Sequence, residues 1–467
     1  MDPQLAQDQA RLAQLLDSAV AEAKRFLAGL DTHPAGATPP PAQPPAPLPA
    51  TGLGAQAALA TFQQRYAPWL SGSAGPRYFG FVTGGVTPAG LLGDWLTSTY
   101  DQNALGSSES IAPQIELDTL HLLRELFGLP EAYSGSFVTG ATMANFVGLA
   151  LGRQWLGQQQ GIDVAQAGLA ALGTVRVFSG TPHASVYKAL SMLGLGRASL
   201  TELPCLPGRE AINVAALEQA LQNQAGQPCL VVANAGTVNT VDFDDLAAIA
   251  ALKQRYPFWL HVDAAFGGFA ACSPTYRPLL HGLALADTIT IDAHKWLNVP
   301  YDAAMQFTRH PTLQAQVFQN NAVYLGQAPA AANFVNLTPE NSRRLRALPA
   351  WFTLMAYGRT GYAEIVERHC RLAQWLGAQI AAASAFELLA PVRLNGICFT
   401  LATRPGPATL QHYLEQLQAG GAIFLTPTHY QGLPALRLSI SNWRTTQQDA
   451  NIAWQALQHA ASQLPAG

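Results

Sequence analysis

Trp259-Leu260-His261-Val262-Asp263-Ala264-Ala265 is the stretch whose reading decides the fold class. A largely apolar run ends in an aspartate, and two small residues follow. This is the pattern of a buried strand whose last side chain reaches a crevice. A second run, Thr288–Ile291, leads into Asp292-Ala293-His294-Lys295-Trp296, with Lys295 32 residues beyond Asp263. Working outward, further short β-branched runs alternate with helical ones. The candidate strands are Ser136–Val138, Thr174–Phe178, Leu200–Leu203, Cys229–Ala233, Trp259–Val262 and Thr288–Ile291. The candidate helices between them include Met143–Gln154, Val186–Leu193, Val214–Gln222 and Asp245–Tyr256. The alternation predicts an α/β domain, a mostly parallel central sheet with helices on both faces. In such sheets ligands sit beyond the carboxyl ends of the strands, so Asp263 and Lys295 are expected to converge on one crevice.

That domain is expected over residues 106–345. Residues 1–105 read as an N-terminal helical arm, with apolar side chains at helical spacing over Leu5–Leu30 and Gly54–Leu70. A Pro- and Ala-rich run from Thr32 to Pro49 separates the two and reads as an extended tether. Gly80–Thr87 (GFVTGGVT) is turn-rich. Residues 346–467 read as a smaller α+β domain. There a long amphipathic stretch, Leu348–Ala383, precedes strand-like Ile397–Leu401, a helix over Thr409–Gly420, strand-like Leu436–Ser441 and a final helix, Gln448–Leu464.

Composition narrows the function classes. Apolar residues make up 49% of the 467 and charged residues 12%, against a typical charged share of about 25%, which excludes disorder through the whole chain. The 26 basic and 29 acidic side chains leave a net charge of −3. That balance offers no grip on nucleic acid or an anionic membrane surface. Five scattered cysteines without a CxxC pair argue against a disulfide scaffold or a zinc ribbon and fit a reducing compartment. The N-terminus, MDPQLAQDQARLAQLL, lacks the basic-then-apolar pattern of a signal peptide. No apolar stretch reaches the roughly 18 residues of a membrane span. A soluble, cytoplasmic protein without a metal site is the expectation.

Two more stretches lie just after candidate strands. Thr139-Gly140-Ala141-Thr142 falls at a strand-to-helix turn. Small residues and a hydroxyl there suit a phosphate at a helix N-terminus, although a plain cap would read the same way. His183-Ala184-Ser185 offers an imidazole to lie flat on a planar ring, or a hydrogen-bonded core histidine. Asp263 likewise reads either as a site carboxylate or as a helix cap. Taken together, a lysine, a carboxylate, a phosphate-binding turn and a flat imidazole are what a pyridoxal 5'-phosphate site needs. The lysine joins the cofactor aldehyde, and the carboxylate keeps the ring nitrogen protonated so that the ring draws electrons from the substrate Cα.

On these residues the chain resembles the group II pyridoxal-phosphate-dependent amino acid decarboxylases, the family of aromatic-L-amino-acid and glutamate decarboxylases. The resemblance runs from about Gly75 to Arg444. HVDAAFGG (His261–Gly268) and DAHKWLNVP (Asp292–Pro300) are its most specific parts. GSFVTGATMAN (Gly135–Asn145), HASVYKAL (His183–Leu190), AGTVNTVDFDDL (Ala235–Leu246) and RLSISN (Arg437–Asn442) add support. The resemblance implies the aminotransferase-like fold type I and a homodimer whose subunits share the active site. It implies that Lys295 carries the cofactor and that Asp263 pairs with the ring nitrogen. It further implies that His183 stacks on the ring, Ala265 packs its other face, and Gly140, Ala141, Thr142 and His294 border the phosphate, with Thr237 near the cofactor. The activity implied is removal of the α-carboxylate of an L-amino acid to give an amine and CO2. The bond that breaks is held perpendicular to the ring plane.

Two departures stand out. Aromatic amino acid decarboxylases carry a tyrosine on a mobile loop, thought to protonate Cα. Nine residues before the paired Arg343-Arg344 stands Phe334, and no tyrosine lies between Tyr324 and Tyr357. In some relatives such a change accompanies oxidative decarboxylation and deamination to an aldehyde, because a carbanion left unprotonated has time to meet oxygen. A shifted loop explains the register equally simply. Met143 stands where relatives often have glutamate. Arg437 reads equally as an anchor for a substrate carboxylate or as half of a structural ion pair, and His261 reads as structural. Tyr78, Phe79 and Phe81 suit an aromatic substrate and a packed core alike. Ser185-Val186-Tyr187-Lys188 matches SxxK without its SDN or KTG partners. Gly194-Leu195-Gly196 lacks the third glycine of a dinucleotide fingerprint.

Overall fold

A computed structural model of the chain describes residues 1–37, 40, 44, 47–106, 110–320 and 333–464. Part of the Pro-rich tether, and Tyr324 with the segment 321–332, lie outside the described residues. The large sheet holds β1 (Ser134–Val138), β2 (Val177–Ser179), β3 (Leu200–Glu202), β4 (Cys229–Asn234), β5 (Phe258–Asp263), β6 (Thr288–Asp292) and β7 (Ala304–Thr308). Their order is β1-β7-β6-β5-β4-β2-β3. β7 runs antiparallel to both β1 and β6, and the remaining pairs are parallel. A four-stranded antiparallel sheet follows, built from β8 (Phe386–Leu388), β9 (Gly396–Leu401), β10 (Thr426–Tyr430) and β11 (Leu433–Ser439) in the order β10-β11-β9-β8.

The arm contains α1 (Pro3–Ala10), α2 (Leu12–Gly29) and α3 (Ala55–Arg65). The body contains α4 (Pro88–Tyr100), α5 (Ala112–Phe127), α6 (Ala141–Gln158), α7 (Val164–Ala167), α8 (Ala184–Met192), α9 (Val214–Asn223), α10 (Leu246–Ala251), α11 (Ala293–Trp296) and α12 (Pro311–Phe318). Beyond it lie α13 (Ala347–Ala382), α14 (Pro407–Ala419) and α15 (Gln447–Ser462). Among the described residues no helix is long and apolar enough to cross a membrane.

The central strands are buried on both faces, and their alternation sorts side chains between two cores. Leu230, Val232 and Trp259 pack with α6 and α8 on one side. Val231, Ala233, Leu260 and Val262 pack with α5 and α10 on the other. The N-terminal part of α13, through Cys370, joins that second core, whereas Leu372, Leu376 and Ile380 belong to the core of the small sheet. The expected boundary at 345/346 therefore falls at the start of a helix that serves both. Gly358, at φ 57°, puts a kink in it.

Several expected elements shift. The strand expected at Thr174–Phe178 forms only from Val177, where it finds β3 and β4 as neighbours. The helix expected over Asp245–Tyr256 ends as α at Ala251 and tightens into a 3-10 turn over Leu252–Gln254, ahead of Pro257, which helices do not run into. Strands β7, β8 and β10 have no counterpart in the sequence reading. Phe334 is a core residue in a 3-10 turn, Phe334–Asn336, fully buried under Arg343, whose guanidinium carbon lies 4.8 Å from the ring centroid. The count back from the paired arginines thus ends in packed structure.

Arg343 is itself pinned. Its guanidinium and the Glu116 carboxylate are both fully buried and 2.8 Å apart, and Arg343 also donates to the carbonyls of Ala104 and Phe137. Glu116 in turn accepts the Phe137 N–H, which ties α5 to β1. Removing one partner of a buried pair costs about 3–5 kcal/mol. Glu116→Ala is therefore expected to unfold at clearly lower denaturant than the parent. An unchanged midpoint would mean that the pair is dispensable.

Candidate active site

A cavity of about 250 Å³ opens beyond the carboxyl ends of β4, β5 and β6. Of the residues singled out from the sequence, His183, Asp263, Lys295, Ala141, Thr237 and Ala265 line it. Gly140 and Thr142 lie at the start of α6 and His294 in α11, and none of the three is among the lining residues. A Cβ on Gly140 would lie 3.5 Å from His294 Cε1.

Lys295 lies in α11, one turn past the end of β6. Its Nζ is 3.0 Å from Asp292 Oδ2 and 5.6 Å from the centroid of the Phe266 ring. The turn that carries it is clamped from behind. Trp296 donates to His369 Nδ1 at 2.8 Å, and Asn298 donates to the Ser441 carbonyl and accepts the Trp443 N–H. Asn298 takes φ 59°, a conformation asparagine tolerates. Burial keeps His369 neutral, with its pKa pushed down to about 3. Gly84, from the turn-rich segment, presses against the Lys295 carbonyl, and any Cβ there would collide with it.

Asp263 ends β5. Its Oδ1 accepts the Ala265 N–H at 3.1 Å and its Oδ2 accepts Asn145 Nδ2 at 3.0 Å. His183 caps α8: its Nδ1 accepts the Ser185 N–H at 3.2 Å and faces the Ser185 hydroxyl at 2.7 Å. Burial holds its pKa below the usual imidazole range. His261 is fully buried and, as expected, packs away from the cavity. Burial pushes its pKa down to about 4.

The N-cap residue of α6, Gly140, gives the helix no side-chain cap. Asp292 Oδ1 takes the Ala141 N–H at 2.6 Å. The helix end, the lysine amine and the buried carboxylate around one cavity fit pyridoxal phosphate by their chemistry. Thr237 lines the wall, but its hydroxyl donates to Glu210 at 2.6 Å, so it contributes shape more than a free donor. Arg437 reaches the cavity from β11. It donates to Thr426 Oγ1 at 3.1 Å, and no ion pair of Arg437 is seen among the described residues. Phe79 is core, Tyr78 stacks on Phe424 with centroids 4.5 Å apart, and Phe81 stands exposed at the cavity rim.

Sequence reasoning missed Asp292, Asn145, Ser185 and Glu210. Asp292 was within the quoted motif. Asn145 stands three residues after Thr142, a buried amide on an otherwise apolar helix face, and that polarity was a usable signal. Glu210 lies in a loop with no signal of its own.

Comparison with known proteins agrees with this geometry. A family model described as the pyridoxal-dependent decarboxylase conserved domain matches residues 43–402. An aromatic-L-amino-acid decarboxylase of Bacillus atrophaeus is 28% identical over 388 residues, covering 80% of this chain and 78% of that protein. A crystal structure of Oryza sativa TDC with PLP and tryptamine superposes with a TM-score of 0.90 at 21% identity, over 99% of each chain. Rhodiola rosea 4-hydroxyphenylacetaldehyde synthase superposes with a TM-score of 0.85 at 20% identity, over the whole of both chains. These two likenesses show the fold, the pyridoxal-phosphate fold type I expected from the sequence. With the family match spanning most of its length, the chain belongs to the pyridoxal-phosphate-dependent amino acid decarboxylases.

Proposed function

We propose that this enzyme removes the α-carboxylate of an L-amino acid, with aromatic substrates slightly favoured, and releases the amine and CO2. The observation that carries the reading is the convergence of Lys295 and Asp263 on one cavity from the ends of adjacent strands. Pyridoxal phosphate, when bound, supplies an aldehyde for the substrate amine and a protonated ring that accepts the electron pair left at Cα.

The protein's side chains do the rest. Lys295, whose amine lies in the cavity, would hold the cofactor through its aldehyde. Asp292, 3.0 Å from its Nζ, provides a nearby carboxylate to stabilise or receive a proton. Asp263, held by two N–H donors, presents negative charge to the ring nitrogen. His183 and Ala265, both lining the cavity, would pack against the cofactor ring. Gly140, Ala141, Thr142 and His294 form the phosphate end, where the first turn of α6 offers its N–H groups. Thr237 closes the remaining side.

Arg437 is read as the anchor for a substrate carboxylate, because its outer nitrogens have no carboxylate partner among the described residues. Exposed apolar side chains on the arm and on α4, among them Leu12, Phe62, Trp69, Leu92 and Trp95, support a homodimer. The five cysteines are unpaired, which suits a reducing, cytoplasmic setting. The alternative product, an aldehyde formed with oxygen, draws no support from Phe334, since that ring is locked in the core.

Three outcomes are expected. Purified protein carries a visible cofactor absorption band that Lys295→Ala abolishes; a band that survives would move the covalent link to another residue. Arg437→Met raises KM by roughly ten- to hundredfold, the loss of a charge-assisted hydrogen bond, with a smaller change in kcat. Steady-state kinetics with KM unchanged would release Arg437 from substrate binding. A screen of amino acids for CO2 release, with products identified by mass spectrometry and oxygen followed by electrode, yields amine without oxygen uptake. Oxygen consumed in step with CO2 would select the aldehyde product instead.

A further inference from the structure

We propose that His261 and Asn145 are positioning residues for this site, forming a buried hydrogen-bond relay that orders the protons around Asp263 and His183. The relay begins at the Trp259 indole, which donates to Thr288 Oγ1 at 3.2 Å. Thr288 faces His261 Nδ1 at 2.8 Å, and His261 Nε2 faces Asn145 Oδ1 at 2.9 Å. From Asn145 Nδ2 the path forks, to Asp263 Oδ2 and to Ser185 Oγ, each at 3.0 Å. Ser185 Oγ then meets His183 Nδ1 at 2.7 Å. Trp259, Thr288, His261 and Asn145 are entirely shielded from water.

The chemistry of the ends sets the direction. An indole N–H only donates, and an ionised carboxylate only accepts. The amide of Asn145 must turn its NH2 to Asp263 and its oxygen to His261. His261 must therefore carry its proton on Nε2 and accept the Thr288 hydroxyl on Nδ1. On the other branch, His183 Nδ1 already accepts the Ser185 backbone N–H at 3.2 Å, so its proton sits on Nε2. Both imidazoles are neutral, each in one tautomer, with no titratable partner in the relay except Asp263.

Gly148 supplies independent support. It lies three residues beyond Asn145 in α6, and a Cβ there would come within 2.6 Å of His261 Nδ1 and Cε1. Only a bare backbone lets the helix approach closely enough for the imidazole to reach Asn145. Without His261 the Asn145 oxygen is buried without a donor, the amide no longer holds its NH2 on both Asp263 and Ser185, and the Ser185 hydroxyl is released from His183 Nδ1.

The proposal rests on the reading that Asp263 and His183 contact the cofactor, so its test reads proton positions as well as turnover. Protein labelled with 15N-histidine and carrying cofactor is compared with His261→Phe, His261→Gln and Gly148→Ala; the His183 signals are identified by their loss in His183→Gln. In the parent, His183 and His261 should both be Nε2-protonated. His261→Phe should mix the His183 tautomers, shift the cofactor absorption band and lower kcat by about tenfold or more with KM within about twofold. Gly148→Ala should do the same, and His261→Gln, which keeps a donor toward Asn145, should restore most of kcat. An unchanged His183 tautomer and kcat in a folded His261→Phe would overturn the relay. If that variant does not fold, the parent spectrum and Gly148→Ala decide: His183 protonated on Nδ1, or unmoved in Gly148→Ala, has the same effect. Failure of the parent to bind pyridoxal phosphate would instead overturn the functional reading and leave the tautomers as they are measured.

Discussion

Two carboxylates, Asp263 and Asp292, are buried at the carboxyl ends of adjacent parallel strands, and the rest of the site answers to that constraint. Ionised groups removed from water are stable only when paired or hydrogen-bonded. Helix α6 meets both demands. Its first N–H goes to Asp292, and Asn145, one turn later, goes to Asp263. The helix must therefore lie close across the sheet. Gly148 and Gly152 make that possible, since a Cβ on either would strike His261 or Trp259 of β5. The start of α6 and the Asp263 carboxylate are thus placed at the cavity by a single packing contact.

The small sheet completes the cavity from the other side. Arg437 comes from β11, and the Trp443 N–H and Ser441 carbonyl hold Asn298 behind the lysine turn. Asn239 hydrogen-bonds both Glu210 and the His429 carbonyl of β10, and it accepts from Thr428. The site therefore spans two cores bridged by α13. Motion of one core against the other would change the distance between Arg437 and Lys295.

Much of the large sheet was legible because its strands are short apolar runs buried on both faces, a pattern that survives without tertiary information. The antiparallel β7 was not legible. AMQFT reads as apolar in any direction, and strand polarity is decided by where the chain enters the sheet. Phe334 shows the same limit at one residue. Its place in the numbering suggested a loop over the site, whereas Arg343 and Glu116, far apart in sequence, draw it into the core.

By itself the sequence determined the alternating α/β architecture and the cluster of Lys295, Asp263, His183 and the Thr139–Thr142 turn, because strand ends and small residues after them are local patterns. Only the tertiary structure decided that Asp292 pairs with Lys295 and that Asn145, Ser185 and His261 join Asp263 to His183. The contacts of Asn145 with Ser185, His261 and Asp263 bridge residues from 40 to more than 100 positions apart, and hydrogen-bond direction depends on which donors and acceptors packing brings together, information that no local pattern carries.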